Sequence, residues 1–307
     1  AAASDAQNTK AANDPTAAEP ADNGQFTVSI DQTSDTDTTI SYTISGDAAS
    51  GVDFAPLSGT VTILANTSSA VIDVTVIDDA LLEDDETVTV ALSAITAGDA
   101  DITIGAANSD TVTIGDDDVA QVSITANDPT AAEPADNGQF TVSIDQTSDT
   151  DTAISYTVSG DAASGADYAP LSGTVTVLAN TSSAVIDVTV IDDLLLEDDE
   201  TLTVTLTAIT AGDADITIGA ANSDTVTIGD DDAAQVSIVA NDPTAAEPAD
   251  GGQFTVSIDQ TSDSDTTISY TVSGDATSGL DYTALTGSVT ILANTASAVI
   301  DVTVIED

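Results

Sequence analysis

The side chains that most clearly indicate a chemical function lie in two acidic segments that recur in the same register. They are residues 78–86 with the triple aspartate 116–118 and, 114 residues later, residues 192–200 with 230–232. Two carboxylates about 5 Å apart repel each other by roughly 3 kcal/mol at an effective dielectric near 20. A folded domain that gathers so many of them is therefore expected to bind a cation. Because carboxylate oxygens are hard ligands and the chain has neither His nor Cys, we expect calcium.

The composition excludes several functional classes. The 307 residues include 54 acids and a single basic side chain, Lys10, which gives a net charge of −53. Nucleic acid is excluded as a partner because almost nothing could neutralise its phosphates. Without Cys or His, the chain cannot form disulfides or the usual zinc sites, and it has no His base or Cys nucleophile. No run of 18 apolar residues exists, so we expect no membrane insertion.

The chain is built from near-identical repeats. Phe26, Phe140 and Phe254 lie 114 residues apart, each inside Gly-Gln-Phe-Thr-Val-Ser-Ile, and residues 13–118 differ from 127–232 at nine positions. Such close copies are typical of a protein whose function scales with its length.

Each repeat has the pattern of an all-β domain. Apolar residues alternate with polar ones in short runs rich in Val, Ile and Thr, separated by Gly, Asn, Asp and Pro. The predicted strands, with the first taken from the second repeat, are 121–125, 24–31, 39–45, 60–64, 70–78, 86–95 and 110–116. Seven strands in about 114 residues predict tandem seven-stranded antiparallel immunoglobulin-like β-sandwiches, arranged as a rod.

Three domains follow from the repeat. The first spans 1–118, with an atypical segment 1–12, because Asn8-Thr9-Lys10 stands where Val122-Ser123-Ile124 is predicted to form a strand. The second spans 119–232. The third, 233–307, is truncated before its last two strands. A fragment of a longer chain is the favoured interpretation, and strand donation between chains is the alternative.

The acids of one repeat converge on one end of the predicted sandwich. If successive strands run alternately up and down, the connections after the first, third and fifth strands lie at the same end as the end of the seventh. We call this end the acidic pole, and in the first repeat its eleven acids are Glu19, Asp53, Asp78, Asp79, Glu83, Asp84, Asp85, Glu86, Asp116, Asp117 and Asp118. Eleven carboxylates can serve several calcium ions. Only Val119-Ala120 separates the pole from the next repeat, so each pole is also a joint.

Four segments carry a resemblance to a known family. Ala18-Glu19-Pro20, Gly51-Val52-Asp53-Phe54, residues 78–86 and residues 116–118 resemble the Calx-beta domain, and the resemblance extends over nearly the whole chain. In calcium-binding members, matching positions hold a cluster of calcium ions at the end of the sandwich.

The resemblance implies a ligand set for each repeat. In the first, it comprises Glu19, Asp53, Asp78, Asp79, Glu83, Glu86, Asp116, Asp117 and Asp118, with Asp84 and Asp85 left open. In the second, it comprises Glu133, Asp167, Asp192, Asp193, Glu197, Glu200, Asp230, Asp231 and Asp232. In the third, only Glu247, Asp281, Glu306 and Asp307 remain, and Glu306 stands where the second repeat has Asp192.

The leading functional hypothesis is a non-enzymatic, calcium-stiffened spacer in an extracellular bacterial adhesin, sheath or filament. Its partners would be neighbouring repeats, and other copies in a filament or cell-surface layer are a second candidate. One alternative is a calcium sensor whose joints change geometry, and another is an accessory module beside an enzyme domain. A solvated, salt-tolerant acidic surface is the alternative to calcium binding. No pattern in the sequence predicts a substrate-binding cleft, which argues against an enzyme.

Overall fold

The computed structural model describes residues 6–306, and these residues contain 23 β-strands and no α-helix. We refer to residues 6–118, 119–232 and 233–306 as units 1, 2 and 3. No helix in the described part of the chain is long and apolar enough to cross a membrane.

Unit 1 consists of two β-sheets. The first has the strand order β6-β3-β1-β8 and the second has the order β2-β9-β7-β4-β5. The strands are β1 (Ala6–Asp14), β2 (Thr16–Ala18), β3 (Gly24–Ile30), β4 (Thr38–Ser45), β5 (Thr60–Ile63), β6 (Ser69–Val74), β7 (Glu86–Ala97), β8 (Ile102–Ile104) and β9 (Ser109–Gly115).

Unit 2 repeats this arrangement, with sheet orders β15-β12-β10-β17 and β11-β18-β16-β13-β14. Its strands are β10 (Ala120–Asp128), β11 (Thr130–Ala132), β12 (Gly138–Ile144), β13 (Thr152–Gly160), β14 (Thr174–Val177), β15 (Ser183–Val188), β16 (Glu200–Ala211), β17 (Ile216–Ile218) and β18 (Ser223–Gly229).

The period-two alternation decides which face of each strand is buried. Along β3, buried residues alternate strictly with half-buried ones, so that Phe26, Val28 and Ile30 enter the core while the Thr and Ser between them do not. The two inner faces together form one apolar core per complete unit. The predicted β-sandwich fold is therefore confirmed.

The first strand is split between the two sheets, which the alternation did not predict. β1 pairs antiparallel with β3 and parallel with β8, after which β2 joins the other sheet parallel to β9. The break falls at Pro15, which has no N–H to donate to a ladder. The sandwich thus contains two short parallel pairings besides the predicted antiparallel ones. The predicted strand 70–78 is shorter, because β6 ends at Val74.

Polar residues occupy the first strand of unit 1 without abolishing it. Asn8 lies opposite Ile30 and Lys10 lies opposite Val28, in the register that Val122 and Ile124 adopt in unit 2. Both Asn8 and Lys10 are buried. The atypical segment therefore forms a strand as its counterpart does, although it places two polar side chains in an apolar core.

Unit 3 is an incomplete sandwich within the described residues. It has a three-stranded sheet, β19-β20-β23, and a two-stranded sheet, β21-β22. Its strands are β19 (Val236–Asp242), β20 (Gly252–Ile258), β21 (Thr266–Ser269), β22 (Ser288–Ile291) and β23 (Ser297–Val302). Without counterparts of β16 and β18, its core is open, and Phe254 is 37% exposed whereas Phe140 of unit 2 is fully buried.

Candidate metal site

The strand order brings the four acidic segments of unit 1 to one end. Glu19 follows β2, Asp53 lies between β4 and β5, residues 78–86 connect β6 to β7, and residues 116–118 follow β9. These are the connections that an alternating strand direction places together.

Two groups of carboxylates share Glu19. Ligand oxygens of Glu19, Asp116 and Asp118 lie within 4.8 Å of one another, and the same holds for Glu19, Asp78 and Asp117. The acids come from three connections that are separated by up to about a hundred residues in sequence. Glu19 therefore stands between two neighbouring positions at which a cation could be held.

A third group lies deeper in the same pole. Oxygens of Asp53, Glu83 and Glu86 also lie within 4.8 Å of one another. Asp53 is only 4% exposed, and its side chain accepts a hydrogen bond from the Ala49 N–H, which fixes it in the turn between β4 and β5. The Ile77 N–H donates to the Asp53 carbonyl at 2.9 Å, which ties this turn to the acidic loop.

Unit 2 reproduces the arrangement. Glu133 lies within 4.8 Å of Asp230 and Asp232 in one group and of Asp192 and Asp231 in another. Asp167 is 5% exposed and shares a side-chain hydrogen bond with Glu200. The duplicated sequence therefore produces duplicated poles.

Burial and mutual repulsion perturb the acids of both poles. Burial raises the pKa of Glu86 to about 8, with a hydrogen bond to Asp53 and the charges of neighbouring carboxylates as further causes. Burial likewise raises the pKa of Glu83 to about 7 and that of Glu200 to about 8. Several of these groups therefore disfavour ionisation in the absence of a compensating positive charge.

The donor set fits a hard divalent cation. Every ligand candidate offers carboxylate oxygen, the chemistry that calcium takes. Among the described residues, buried oxygens of Asp118, Glu133, Glu200 and Asp232 have no hydrogen-bond partner. A calcium ion would satisfy such oxygens and offset the repulsion that raises the pKa values.

The remaining predicted residues hold different positions. The Asp79 N–H donates to Glu19 Oε2 at 3.3 Å, and Asp79 Oδ1 accepts from the Leu81 N–H at 2.8 Å, so Asp79 lies beside the site and shapes the acidic loop. Asp193 does the same for Leu195 at 2.7 Å. Glu197 lies near the charges of Asp167 and Asp193, and burial raises its pKa.

The pole of unit 3 lacks most of this geometry. Glu247, Asp281 and Glu306 are exposed, in contrast to the buried Asp53 and Asp167, and Asp307 lies outside the described residues. Asp281 still accepts a hydrogen bond from the Thr277 N–H at 2.6 Å, so the local turn forms without the rest of the pole. An incomplete sandwich does not bury its acids.

Sequence reasoning missed two acids that the next unit adds to the joint. Burial raises the pKa of Asp149, and the charges of Asp84 and Asp213 raise it further. Asp213 also lies close enough to raise the pKa of Asp116, after the larger effect of burial. Asp149 and Asp213 belong to the opposite end of unit 2, where the sequence pattern indicated only scattered acids. The sequence feature that indicates this contact is the two-residue linker, because it forces that end of unit 2 against the pole of unit 1.

An amide from the next unit also reaches the pole. Gln146 donates through Nε2 to Asp118 Oδ1 at 3.0 Å, and Gln260 donates to Asp232 Oδ1 at 3.1 Å in the second joint. The pole of each complete unit is thus part of a contact between neighbours.

Comparison with solved structures finds the following similar chains. The calcium-binding domain CBD12 of CALX1.1 is 17% identical over 70% of this chain and 96% of its own, with a TM-score of 0.31. CBD12 from CALX1.2 is 16% identical over 72% and 99%, with the same TM-score of 0.31. A two-domain protein of unknown function from Bacteroides fragilis is 7% identical over 73% and 93%, with a TM-score of 0.29. No curated protein sequence matches the chain.

The sequence profile of the Calx-beta domain matches three consecutive segments, residues 12–118, 116–232 and 230–307. These segments cover almost the entire sequence and follow the three repeats. The chain therefore belongs to the Calx-beta domain family.

Proposed function

We propose that the chain is a non-enzymatic calcium-binding repeat region that serves as a spacer, in which calcium at the joints stiffens the array. The observation that carries this proposal is the position of the acids. After the larger effect of burial, the charge of Asp149 in unit 2 raises the pKa of Glu83 in unit 1, and the charge of Asp213 raises the pKa of Asp116, across a linker of two residues. Like charges on both sides of a joint push the units apart, and a bound divalent cation would offset that repulsion.

The mechanism follows from where each ligand is anchored. Asp53 is held by its own turn, Glu19 follows β2, and residues 116–118 lead directly into unit 2. Calcium held by these segments would connect the sheet β2-β9-β7-β4-β5 of unit 1 to the linker. The linker would then lose freedom, and the angle between the units would be restricted.

The setting that we propose is an extracellular bacterial fibre, adhesin or filament, with other repeats or other copies as partners. Near-identical copies support a mechanical role, because length is the property that copying increases. Immunolabelling of intact cells of the source organism tests this location. Labelling only after lysis would contradict it.

A calcium sensor is the alternative role for the same sites. Sensors respond through tuned and usually different sites, whereas the poles of units 1 and 2 share every ligand candidate. The two roles differ in what calcium does to the joint. A spacer becomes rigid, and a sensor changes from one defined geometry to another.

Small-angle X-ray scattering of the full chain with calcium and with a chelator tests the proposal. We expect calcium to increase the maximum dimension and to narrow the distribution of shapes, and magnesium to do so less because it demands smaller, octahedral sites. The double variant Asp53→Asn, Asp167→Asn should lose the response. The charge-matched control Asp35→Asn, Asp101→Asn, at exposed acids of unit 1 away from its pole, should keep it.

Two outcomes would contradict the proposal. A maximum dimension that is the same with calcium and with the chelator would exclude stiffening. A switch between two compact geometries would favour the sensor.

A further inference from the structure

One apolar residue within the acidic loop of unit 1 is buried in the neighbouring unit. Leu82 lies between the ligand candidates Asp79 and Glu83, yet it is 0% exposed and belongs to the apolar core cluster of unit 2. Burial of an apolar side chain is favourable, and the surface that removes Leu82 from water belongs to unit 2.

The backbone around Leu82 is also bound to unit 2. The Leu82 N–H donates to the Thr147 carbonyl at 3.0 Å, and the Asp149 N–H donates to the Leu82 carbonyl at 3.1 Å. Leu82 and Ser148 thus form a parallel β-bridge. The contact uses the segment between β12 and β13, which is the end of unit 2 opposite its own pole.

The same contact recurs at the second joint. The Leu196 N–H donates to the Thr261 carbonyl at 2.9 Å, and the Asp263 N–H donates to the Leu196 carbonyl at 3.1 Å. Leu196 is only half-buried, because the core of unit 3 is open. Recurrence with the same two hydrogen bonds shows that the contact belongs to the repeat and not to one loop.

Within residues 6–306, no leucine contacts the corresponding segment of unit 1 as Leu82 contacts that of unit 2. Ser34, the counterpart of Ser148, is half-buried, whereas Ser148 is 3% exposed. The hydroxyl of each serine contacts the threonine two residues later at 3.1 Å, so the segment has the same local structure in both units. The receiving surface is therefore preformed, and the leucine completes its burial.

We propose that Leu82 is a core residue of unit 2 supplied by unit 1. At the second joint, Leu196 makes the same backbone contact with unit 3 but stays half-buried. Unit 1 thus completes the fold of unit 2, and this dependence runs in one direction along the chain. This part of the inference is independent of calcium. A second part rests on the proposed function: because Leu82 anchors the loop between Asp79 and Glu83, its seating also positions ligands at the pole of unit 1.

Melting of the full chain tests the first part. We expect Leu82→Ala to lower the melting midpoint of unit 2, not that of unit 1, by about 8–20 °C, because the substitution leaves a cavity in the core of unit 2. Leu82→Met should restore the midpoint, since it conserves volume. The matched control is Leu194→Ala, which shortens a leucine that is 69% exposed in the corresponding loop of unit 2 and should change nothing.

A distance measurement detects the joint itself. The chain has no cysteine, so Val71→Cys and Val185→Cys, at exposed equivalent positions of units 1 and 2, provide the only two thiols for spin labels. Leu82→Ala should widen the distribution of distances between the labels, and Leu194→Ala should leave it unchanged. A loss of stability confined to unit 1, or an unchanged distribution with unchanged melting, would overturn the proposal.

Calcium titration tests the second part. In a background with the pole of unit 2 disabled by Asp167→Asn and Glu200→Gln, we expect Leu82→Ala to weaken calcium binding at unit 1 by about threefold or more, and Leu82→Met to restore it. Unchanged affinity would refute the coupling between Leu82 burial and calcium binding at unit 1. The melting measurements would still test the first part of the proposal. If the parent protein bound no calcium, the proposed function would fail, and the melting and distance measurements would still decide the role of Leu82.

Discussion

Units 1 and 2 share every acid of their poles but differ in the strand that opens each sandwich. β10 of unit 2 buries Val122 and Ile124, whereas β1 of unit 1 buries Asn8 and Lys10 at the same register positions. The two carboxylate groups that share a glutamate, Glu19 in unit 1 and Glu133 in unit 2, nevertheless form in both units. Pole geometry is therefore set by the connections between strands, and it tolerates a polar substitution in the core beneath.

The structure shows how unit 1 accommodates its buried lysine. Lys10 Nζ donates to the carbonyls of Val90 at 2.8 Å and Asp110 at 3.0 Å, and it lies 3.7 Å from the centre of the Phe26 ring. Burial lowers the pKa of Lys10 from its ordinary 10.5 to about 8, although the charge of Asp110 opposes this. The ammonium group is thus hydrogen-bonded, at a cost in desolvation that Ile124 avoids.

The largest loss of stability is expected from a substitution that makes β10 of unit 2 resemble β1 of unit 1. Ile124→Lys should destabilise unit 2 by about 3–5 kcal/mol, because it replaces an apolar core side chain with a charge that must be desolvated. Calorimetry of the full chain measures this, with hydrogen exchange assigning each transition to a unit. Thr125→Lys adds the same charge at the exposed neighbouring position and should have little effect. Equal losses from both variants would show that net charge, and not burial, distinguishes the units.

Calcium should affect the two units equally. At a hundred- to a thousandfold excess over the dissociation constant, binding adds about 3–4 kcal/mol to the stability of each unit. Asp53→Asn in unit 1 and Asp167→Asn in unit 2 should each remove this gain from their own unit. In a chelator the same variants should be neutral or stabilising, because each removes one of several repelling charges. Thermal melting in both conditions checks this reversal of sign, and destabilisation by the variants in the chelator would contradict it.

A smaller effect is expected at Asn8. Its side-chain nitrogen and oxygen are buried and have no hydrogen-bond partner within residues 6–306. Asn8→Val should therefore stabilise unit 1 by about 1–2 kcal/mol, the cost of an unsatisfied buried amide. Val122→Asn in unit 2 is the reciprocal variant and should be destabilising. Chemical denaturation of the full chain measures both, and a loss of stability from Asn8→Val would mean that the amide is satisfied in solution.

The two units should also differ in a pH dependence that is specific to unit 1. Because burial lowers the pKa of Lys10 to about 8, the unfolded chain binds this proton more tightly than the folded chain does. The stability of unit 1 should therefore rise between about pH 8 and pH 10.5, where the unfolded lysine is protonated and the folded one is not. The difference between the parent protein and Lys10→Ile, measured by denaturation across this range, isolates the lysine. A difference that is constant with pH would show that Lys10 keeps its ordinary pKa.

Much of the fold could be predicted because alternation acts locally. Phe26, Val28 and Ile30 indicate their own buried face, and the prediction of a sandwich needs only several such strands. The convergence of Glu19, Asp53 and residues 116–118 also followed from strand direction alone. The split of the first strand between sheets could not be predicted, since β2 and β8 are three residues long and have too little pattern to read.

The joint was the least predictable part of the candidate site. Leu82 has the appearance of an interruption in an acidic run, and Asp149 that of a surface acid in a loop. Their contact depends on the rotation of one unit against the next, which no periodicity within a unit records. The two-residue linker predicts only that the ends are near.

The repeat, most of the strands, the family and the acids that could bind calcium follow from the spacing of residue types along the chain. Three features became clear from the folded structure alone: the pole of one unit meets acids of the next, Leu82 is buried outside its own unit, and Lys10 is accommodated within a core. These features depend on the packing of surfaces from distant segments. The free energy of burying a leucine, a carboxylate or an ammonium group depends on the atoms that surround it. In this protein those atoms belong to residues that are distant in the sequence.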